Sequence, residues 1–248
     1  VNREITLLRA VLNRAAQVWD IHFKMPNWKA HRLHESRGRV RSLSSDEQSR
    51  LLAALRPDMR PLVEFCLLTG ARVSSARTLT WDRVDFEAGL LRLEVKSKFM
   101  GEYLTLPITP AAAAILRAVR GQHPIYVFTY LCRSPIPGKR DKGQRYPFAR
   151  DGWRRTWASA LKRAQIDDFR FHDLRHTAAT DMLKQTKNIA AVQKVLGHRD
   201  VTTTMRYAHV LQDDVAAALN RNITGNTLDD SKNLDISLSG NKGIKDNK

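Results

Sequence analysis

Apolar residues near the amino terminus recur with the spacing of an α-helix. The pattern covers residues 4–19 and predicts one amphipathic helix that ends before Pro26. The stretch from His31 to Arg41 is basic and poor in apolar residues, so we interpret it as an exposed linker that is a candidate for phosphate contacts. The apolar positions of the helix are Ile5, Leu8, Val11, Leu12, Ala15, Ala16 and Trp19.

Capping signals locate the helices that follow. Ser44 and Glu47 have the spacing of a capping box and precede an apolar helical stripe. A second helix is expected over residues 60–69, where Gly70 supplies its carboxyl-terminal cap. Thr109 has the character of an amino-terminal cap, since a proline follows it in the first turn. Further helices are predicted at residues 111–120, 152–165, 173–185, 189–196, 202–209 and 213–220.

Two short β-branched and aliphatic segments interrupt this helical pattern. Leu90–Val95 and Tyr103–Pro107 are predicted to be strands joined by a basic turn. Residues 132–150 are rich in proline, glycine, lysine and arginine and are predicted to be a loop. After Asn222 the composition is typical of a disordered segment. The expected fold class is therefore mainly α with a small antiparallel β-sheet (α+β).

The charge of the chain narrows the range of partners. Lysine and arginine number 42 against 25 aspartate and glutamate, which gives a net charge of +17. The last 23 residues carry four lysines and four aspartates, so the whole surplus lies on residues 1–225. A surplus of this size favours a polyanionic partner, and nucleic acid is the leading one. The alternatives are a basic protein without such a partner and an anionic membrane surface, which the lack of one basic amphipathic helix disfavours.

The cysteines and the hydropathy pattern point to a reducing, aqueous setting. Cys66 lies in an apolar run and is predicted to be a core residue, and neither it nor Cys132 belongs to a metal or redox spacing. No apolar run is long enough to span a bilayer, and no signal peptide opens the chain. We expect a cytoplasmic protein with no membrane association, and a first residue, Val1, that already lies in a helix of a longer protein.

Several positively charged and titratable side chains are candidates for chemistry, and each also has a structural interpretation. Arg72 follows a helix end, where arginines are usually surface residues. His172 and Arg175 are three positions apart and would share one helix face, as a phosphate-binding pair or as a solvated face with a core histidine. His198 lies just past a helix end, and Tyr207 lies in a helix where packing is the ordinary role of a tyrosine.

Three separated segments resemble the signature motifs of the tyrosine recombinase (phage integrase) family. They read LLTGARVSSARTLTW, HDLRHTAATDML and VLGHRDVTTTMRYAHV, and they occur in the order that the family uses. His198 precedes Tyr207 by nine positions, which is also the family's interval. The resemblance covers about residues 40–220, and residues 1–30 resemble the last part of the family's helical core-binding domain.

The resemblance assigns a role to each candidate residue. Arg72 would be the first catalytic arginine, and His172 with Arg175 would be the pair of the second motif. His198 would occupy the place of a histidine or tryptophan, and Tyr207 would be the nucleophile.

The family's catalytic lysine lies in a β-turn, and its position in this chain has two candidates. Counting back from Pro107 favours Lys98, one residue farther out than is usual, and Lys96 is the alternative. One residue departs from the family pattern. Ser75 stands where the family usually has an acidic residue three positions after the first arginine, so the way in which Arg72 is held is open.

The resemblance also implies a mechanism. Two arginines would stabilise the charge that builds on a DNA phosphate, while Tyr207 attacks and His172 accepts its proton. His198 would donate a hydrogen bond to the phosphate, and Lys98 would protonate the leaving 5′ oxygen. The resulting 3′-phosphotyrosyl link would be resealed by a 5′ hydroxyl without ATP, metal or other cofactor. The sequence contains no phosphate-binding glycine loop and no metal-ligand spacing.

The implied organisation is a catalytic domain on double-stranded DNA. We expect residues 1–38 to be the end of the core-binding domain with a linker, residues 39–225 to be the catalytic domain, and residues 226–248 to be a disordered tail. By analogy with the family the enzyme would act as a homotetramer on two DNA sites. The rival functions are a catalytically silent DNA-binding protein with the same fold and a type IB topoisomerase-like enzyme that relaxes DNA.

Overall fold

A computed structural model of the chain describes residues 1–34, 40–95 and 101–211. The chain divides into two compact units, Val1–Arg39 and Val40–Lys248. The predicted lysine turn, including Lys96 and Lys98, lies outside the described residues, as do the predicted helix at 213–220 and the predicted tail. The boundaries given above for the three segments stay predictions.

The first unit consists of one long helix and one short helix. Helix α1 covers Asn2–Val18 and agrees with the helix predicted at residues 4–19, and α2 covers Trp28–His31. The side chain of Asn2 donates a hydrogen bond to the carbonyl of Leu33 (2.8 Å) and accepts one from its amide (2.9 Å). These two bonds tie the beginning of α1 to the segment after α2.

The described residues of the second unit form eight α-helices, the first of which is α3 Ser45–Ala54. The predicted capping box opens α3, because the Glu47 amide donates to Ser44 Oγ (3.1 Å) and the Ser44 amide donates to Glu47 Oε2 (2.9 Å). Thr109 caps α6 as predicted, by accepting from the amide of Ala112 (3.2 Å). Within the described residues the α-helices are α3 Ser45–Ala54, α4 Arg60–Thr69, α5 Val73–Arg77, α6 Pro110–Val119, α7 Arg154–Ala164, α8 Asp173–Thr186, α9 Ile189–Leu196 and α10 Thr202–Met205.

Two small antiparallel sheets accompany the helices, which confirms the α+β class. In the three-stranded sheet β2 is central, and its pairing with β3 places Leu91 opposite Leu106 and Leu93 opposite Leu104. Alternate residues of β2 are buried, so one face of this sheet joins the core. The strands are β1 Val84–Asp85, β2 Leu90–Glu94, β3 Tyr103–Pro107, β4 Thr129–Leu131 and β5 Arg145–Pro147, of which β4 and β5 form the second sheet.

Two apolar clusters stabilise the second unit. The larger one extends from α3 through the three-stranded sheet to α7 and the beginning of α8, and Phe65 packs against Phe128 within it. Cys66 is fully buried there, as predicted. The smaller cluster joins α8, α9 and the segment after α10; its buried members are Ala179, Leu183, Val192, Leu196 and Tyr207.

Several elements differ from the prediction, and α2 and β4 are among those that the sequence pattern did not indicate. The loop predicted at residues 132–150 contains β5, whose partner strand lies outside the interval that the composition marked. Helix α5 was not predicted because five residues are too few to show a helical period. The helix predicted at 202–209 is wrong: α10 ends at Met205, and a 3₁₀ turn begins at Ala208. Three consecutive threonines, which are poor helix formers, open this segment.

Candidate active site

Arg175 is held by the carboxyl-terminal ends of two helices. Its Nη1 donates to the carbonyl of Gly70, which caps α4 (2.8 Å), and its Nη2 donates to the carbonyl of Leu196, the last residue of α9 (2.6 Å). Helix carboxyl termini carry partial negative charge and unsatisfied carbonyls, so they are natural partners of a guanidinium. The residue is only 4% exposed, and these two hydrogen bonds use two of the five N–H groups of its side chain.

Two glycines end the two helices whose carbonyl groups hold Arg175. Gly70 has φ +65° and Gly197 has φ +63°, the left-handed conformation that ends a helix and that favours glycine. A Cβ atom at Gly70 would lie 2.5 Å from Cδ2 of Leu196. The two helix ends can therefore approach closely enough to share one guanidinium only because residue 70 has no side chain.

Arg72 adds a second positive charge at the same place. It is the residue that precedes α5, it is half-buried, and its charge lowers the pKa of Arg175. Burial is the larger cause of that shift, and together they bring the pKa of Arg175 to about 10. Within the described residues neither arginine forms an ion pair with a carboxylate. Two guanidinium groups without a counter-anion form a site suited to a phosphate.

Ser75 replaces the expected acid with a structural contact. Its buried hydroxyl donates to the carbonyl of Glu94, the last residue of β2 (2.5 Å). This hydrogen bond attaches α5 to the strand that leads into the predicted lysine turn. Among the described residues Ser75 forms no hydrogen bond with the side chain of Arg72.

His172 and His198 border the two arginines. Burial and the charges of Arg175 and Arg72 lower the pKa of both histidines, and that of His198 falls to about 4. His198 Nδ1 forms a hydrogen bond with Thr204 Oγ1 (2.8 Å), so Nε2 is the ring nitrogen that can meet a ligand. An anion that binds here would offset the repulsion between these groups and raise both pKa values.

Tyr207 lies in the smaller apolar cluster and is 1% exposed. Its hydroxyl forms a hydrogen bond with Nδ1 of His176 (2.7 Å), the residue that follows Arg175. Burial raises the pKa of Tyr207, and the charges of Arg175 and Arg206 oppose that rise.

The fold thus brings together five of the six predicted residues and adds two that were not predicted. The predicted residues lie close enough for Arg175 to influence the pKa of His172, His198 and Tyr207. The two additions, His176 and Arg206, each adjoin a predicted residue in sequence. The sequence spacing does not show which of His172 and His176 contacts the Tyr207 hydroxyl, and the structure shows that it is His176. The sixth predicted residue, Lys98, lies outside the described residues. The predicted set that the structure joins is Arg72, His172, Arg175, His198 and Tyr207.

The described residues contain neither a metal-type cluster of side chains nor a helix suited to cross a membrane. No cluster of three or more histidine, cysteine, aspartate or glutamate side chains with the geometry of a metal site occurs in residues 1–34, 40–95 and 101–211. None of the helices in those ranges combines the length and apolar character of a membrane span.

Comparisons with known proteins agree with this geometry. The phage integrase family profile matches residues 41–213. The integrase of Salmonella phage P22 is 29% identical over 209 residues, covering 83% of this chain and 52% of that protein. The tyrosine recombinase XerD of Bifidobacterium longum is 30% identical over 187 residues, covering 68% of this chain and 58% of that protein.

Solved structures show the same fold. The catalytic domain of bacteriophage HP1 integrase is similar with a TM-score of 0.52 and 26% identity over 73% of this chain and 95% of that domain. The Tn1549 transposon integrase in complex with a circular intermediate DNA has a TM-score of 0.67 with 18% identity, over 89% of this chain and 78% of that one.

One assignment follows from buried Arg175 with half-buried Arg72, from the hydrogen-bonded Tyr207 and from the family match. The chain belongs to the phage integrase family, whose relatives named here are integrases and tyrosine recombinases. It spans about half the length of two of the curated relatives it matches, at 52% and 50% of theirs.

Proposed function

We propose that the chain is the catalytic part of a site-specific DNA recombinase that cleaves and rejoins DNA strands through a 3′-phosphotyrosine at Tyr207. The observation that carries this proposal is the buried guanidinium of Arg175, which lies close enough to Arg72 and to Tyr207 for their charges to interact and which forms no ion pair with a carboxylate among the described residues. Two positive guanidinium groups suit the negative charge that grows on the nonbridging oxygens of a phosphodiester under attack.

Each residue of the site would act on one atom of the scissile phosphate. Arg72 and Arg175 would bind the nonbridging oxygens, where charge grows during attack, and Nε2 of His198 would donate to the same group. Tyr207 would form the bond to phosphorus. The leaving 5′ oxygen needs a proton, and Lys98, with Lys96 as the alternative, remains our candidate to supply it.

The chemistry would need no external energy. The phosphotyrosyl bond retains the free energy of the broken phosphodiester, so a 5′ hydroxyl can reverse the step without ATP. Because two guanidinium groups supply the positive charge that the transition state requires, no metal ion is needed either. The product is a rejoined strand, with the same partner or a new one.

Double-stranded DNA is the proposed partner, and the surplus of +17 supports it. Several structural neighbours were solved with DNA, among them the Tn1549 integrase and a lambda integrase dimer bound to a core site. We further propose that the chain acts in the cytoplasm as a homotetramer on two DNA sites, with residues 1–38 and 39–225 as the core-binding and catalytic parts.

Covalent capture on DNA tests the proposal. A pool of nicked duplexes of random sequence is incubated with the protein, and adducts that survive denaturation are isolated and sequenced. We expect enriched sequences with wild type and none with Tyr207→Phe, which retains the ring but lacks the nucleophilic oxygen. DNA retention in a gel shift without any adduct would favour the catalytically silent alternative and overturn the proposal.

The enriched duplexes also separate recombination from topoisomerase activity. Two such sites are placed on one supercoiled plasmid. Exchange of the flanking segments is expected of a recombinase, whereas relaxation of the plasmid without exchange would support the type IB topoisomerase-like alternative.

A further inference from the structure

His176 is the side chain that contacts the Tyr207 hydroxyl. The two atoms, His176 Nδ1 and Tyr207 Oη, are 2.7 Å apart, and the ring centroids are 5.7 Å apart. Both side chains are buried, at 6% and 1% exposure. When the ring nitrogen is unprotonated, a buried tyrosine hydroxyl that is hydrogen-bonded to it directs its proton at a base.

His172 occupies a different position. It precedes α8 and is exposed, and its ring meets the His176 ring edge-on with centroids 5.5 Å apart. The His172 ring thus packs against the His176 ring, whereas His176 forms the hydrogen bond with the Tyr207 hydroxyl. Both residues are histidines of one sequence motif, and their contacts in the fold distinguish them.

The surroundings of His176 keep its ring neutral before the reaction. On its own helix it faces His172, Asp173 and Arg175, and from the segment after α10 it faces Arg206 and Tyr207. Burial lowers its pKa, the charges of His172, Arg206 and Arg175 lower it further, and the carboxylate of Asp173 opposes them. A neutral imidazole has one nitrogen that can accept a proton.

The surroundings also favour the state that follows proton transfer. Once the hydroxyl loses its proton, the phenolate is stabilised by the charges of Arg175 and Arg206. The buried carboxylate of Asp173, on the turn of α8 next to His176, stabilises the imidazolium. Both products of the transfer thus have an opposite charge nearby.

We propose that His176, rather than His172, accepts the proton of Tyr207 during strand cleavage; the inference rests on the function proposed above. As Tyr207 Oη bonds to phosphorus, the bond from phosphorus to the 5′ oxygen breaks and the phenol proton passes to His176 Nδ1. The 5′ oxygen receives a separate proton from the general acid. In rejoining, the imidazolium returns its proton to Tyr207 Oη while the 5′ hydroxyl gives its own back to that acid.

Two asparagine variants form a matched pair that tests the assignment. In His176→Asn the amide oxygen can occupy the place of Nδ1 and keep the hydrogen bond to Tyr207, but it cannot take up the proton. His172→Asn makes the same change on the exposed neighbour. Cleavage of a captured nicked duplex is followed under single-turnover conditions from pH 5 to 9, and urea unfolding and gel shifts verify that each variant folds and binds DNA.

The expected result is a loss of cleavage rate of about 10²–10⁴-fold in His176→Asn, the usual contribution of general acid–base catalysis. The rate should also lose the inflection that wild type shows as His176 becomes protonated at low pH. His172→Asn should keep that inflection. A His176→Asn rate within tenfold of wild type, with the inflection intact, would overturn the inference, whereas absence of any adduct with wild type overturns the proposed function instead.

A measurement on the unaltered protein tests the same point if the variant does not fold. Long-range ¹H–¹⁵N correlation spectra report which ring nitrogen of His176 carries the proton. The inference requires Nδ1 to be unprotonated and Nε2 to be protonated at pH 7.5 in the free protein. A proton on Nδ1 would mean that the ring donates to Tyr207, and the inference would be wrong.

Discussion

Replacing Gly70 with alanine tests whether one missing side chain assembles the site. The left-handed backbone at φ +65° costs a non-glycine residue about 1–2 kcal/mol. The new Cβ atom would also lie 2.5 Å from Cδ2 of Leu196, which is fully buried and cannot move aside freely. Overpacking of this kind typically costs about 1–3 kcal/mol. The expected loss in the free energy of unfolding is therefore about 2–5 kcal/mol.

Gly89→Ala is the matched control for the backbone contribution. Gly89 has φ +67°, nearly the same conformation, and nothing lies within 4 Å of its would-be Cβ atom. Its loss should be limited to the backbone cost of about 1–2 kcal/mol. Because both variants change the unfolded chain alike, the difference between them isolates the contact with Leu196.

Urea unfolding followed by circular dichroism measures both variants. We expect Gly70→Ala to lose about 1–3 kcal/mol more than Gly89→Ala. Equal losses for the two variants, within about 0.5 kcal/mol, would refute the reasoning that the ends of α4 and α9 approach too closely for a side chain. A repeat in the Leu196→Val background, which lacks Cδ2, should reduce the difference.

Three further predictions concern capping, pH and thiol chemistry. Ser44→Ala should lower the free energy of unfolding by about 1 kcal/mol in urea titrations, because the Glu47 amide loses its acceptor. The pKa of His198 is about 4 in the folded protein and 6.5 ordinarily, so the unfolded state binds the proton first as the pH falls. The free energy of unfolding of wild type should therefore decrease from pH 6.5 down to 4, and His198→Asn should not show this decrease. Burial raises the pKa of Cys66 to about 12, so alkylation at pH 8 should modify it only after unfolding, as mass spectrometry would detect.

Each of the three has a contrary outcome. Ser45→Ala, one residue farther along and outside the capping box, should cost less than Ser44→Ala, and a larger loss would contradict the capping argument. Parallel pH profiles of stability for wild type and His198→Asn would contradict the depressed pKa. Alkylation of Cys66 in the folded protein at the rate of a free thiol would contradict its burial.

Local signals in the sequence predicted most of the helices. The capping box at Ser44 and Glu47 and the glycine cap at Gly70 depend on residues at most a few positions apart, and the structure contains both. The same holds for the β2–β3 hairpin, whose strands are close in sequence. Such features need no tertiary information, because the interacting groups are neighbours along the chain.

Long-range contacts set the limit of the prediction. The partners of Arg175 are 105 and 21 positions away, and both are main-chain carbonyls, which no side-chain pattern marks. The contact between His176 and Tyr207 spans 31 positions. The sequence motifs indicated the segments that contain these residues, but only tertiary packing decides which side chain of a motif contacts the Tyr207 hydroxyl.

The two carbonyl groups that hold Arg175 are synthesised at different times. The ribosome delivers the carbonyl of Gly70 more than a hundred residues before Arg175, whereas the carbonyl of Leu196 follows 21 residues later. In a nascent chain that has not reached residue 196, the guanidinium of Arg175 therefore lacks one of its two carbonyl partners. A product that terminates before residue 196 would lack one of the two carbonyl groups that orient Arg175, and it would lack Tyr207 as well.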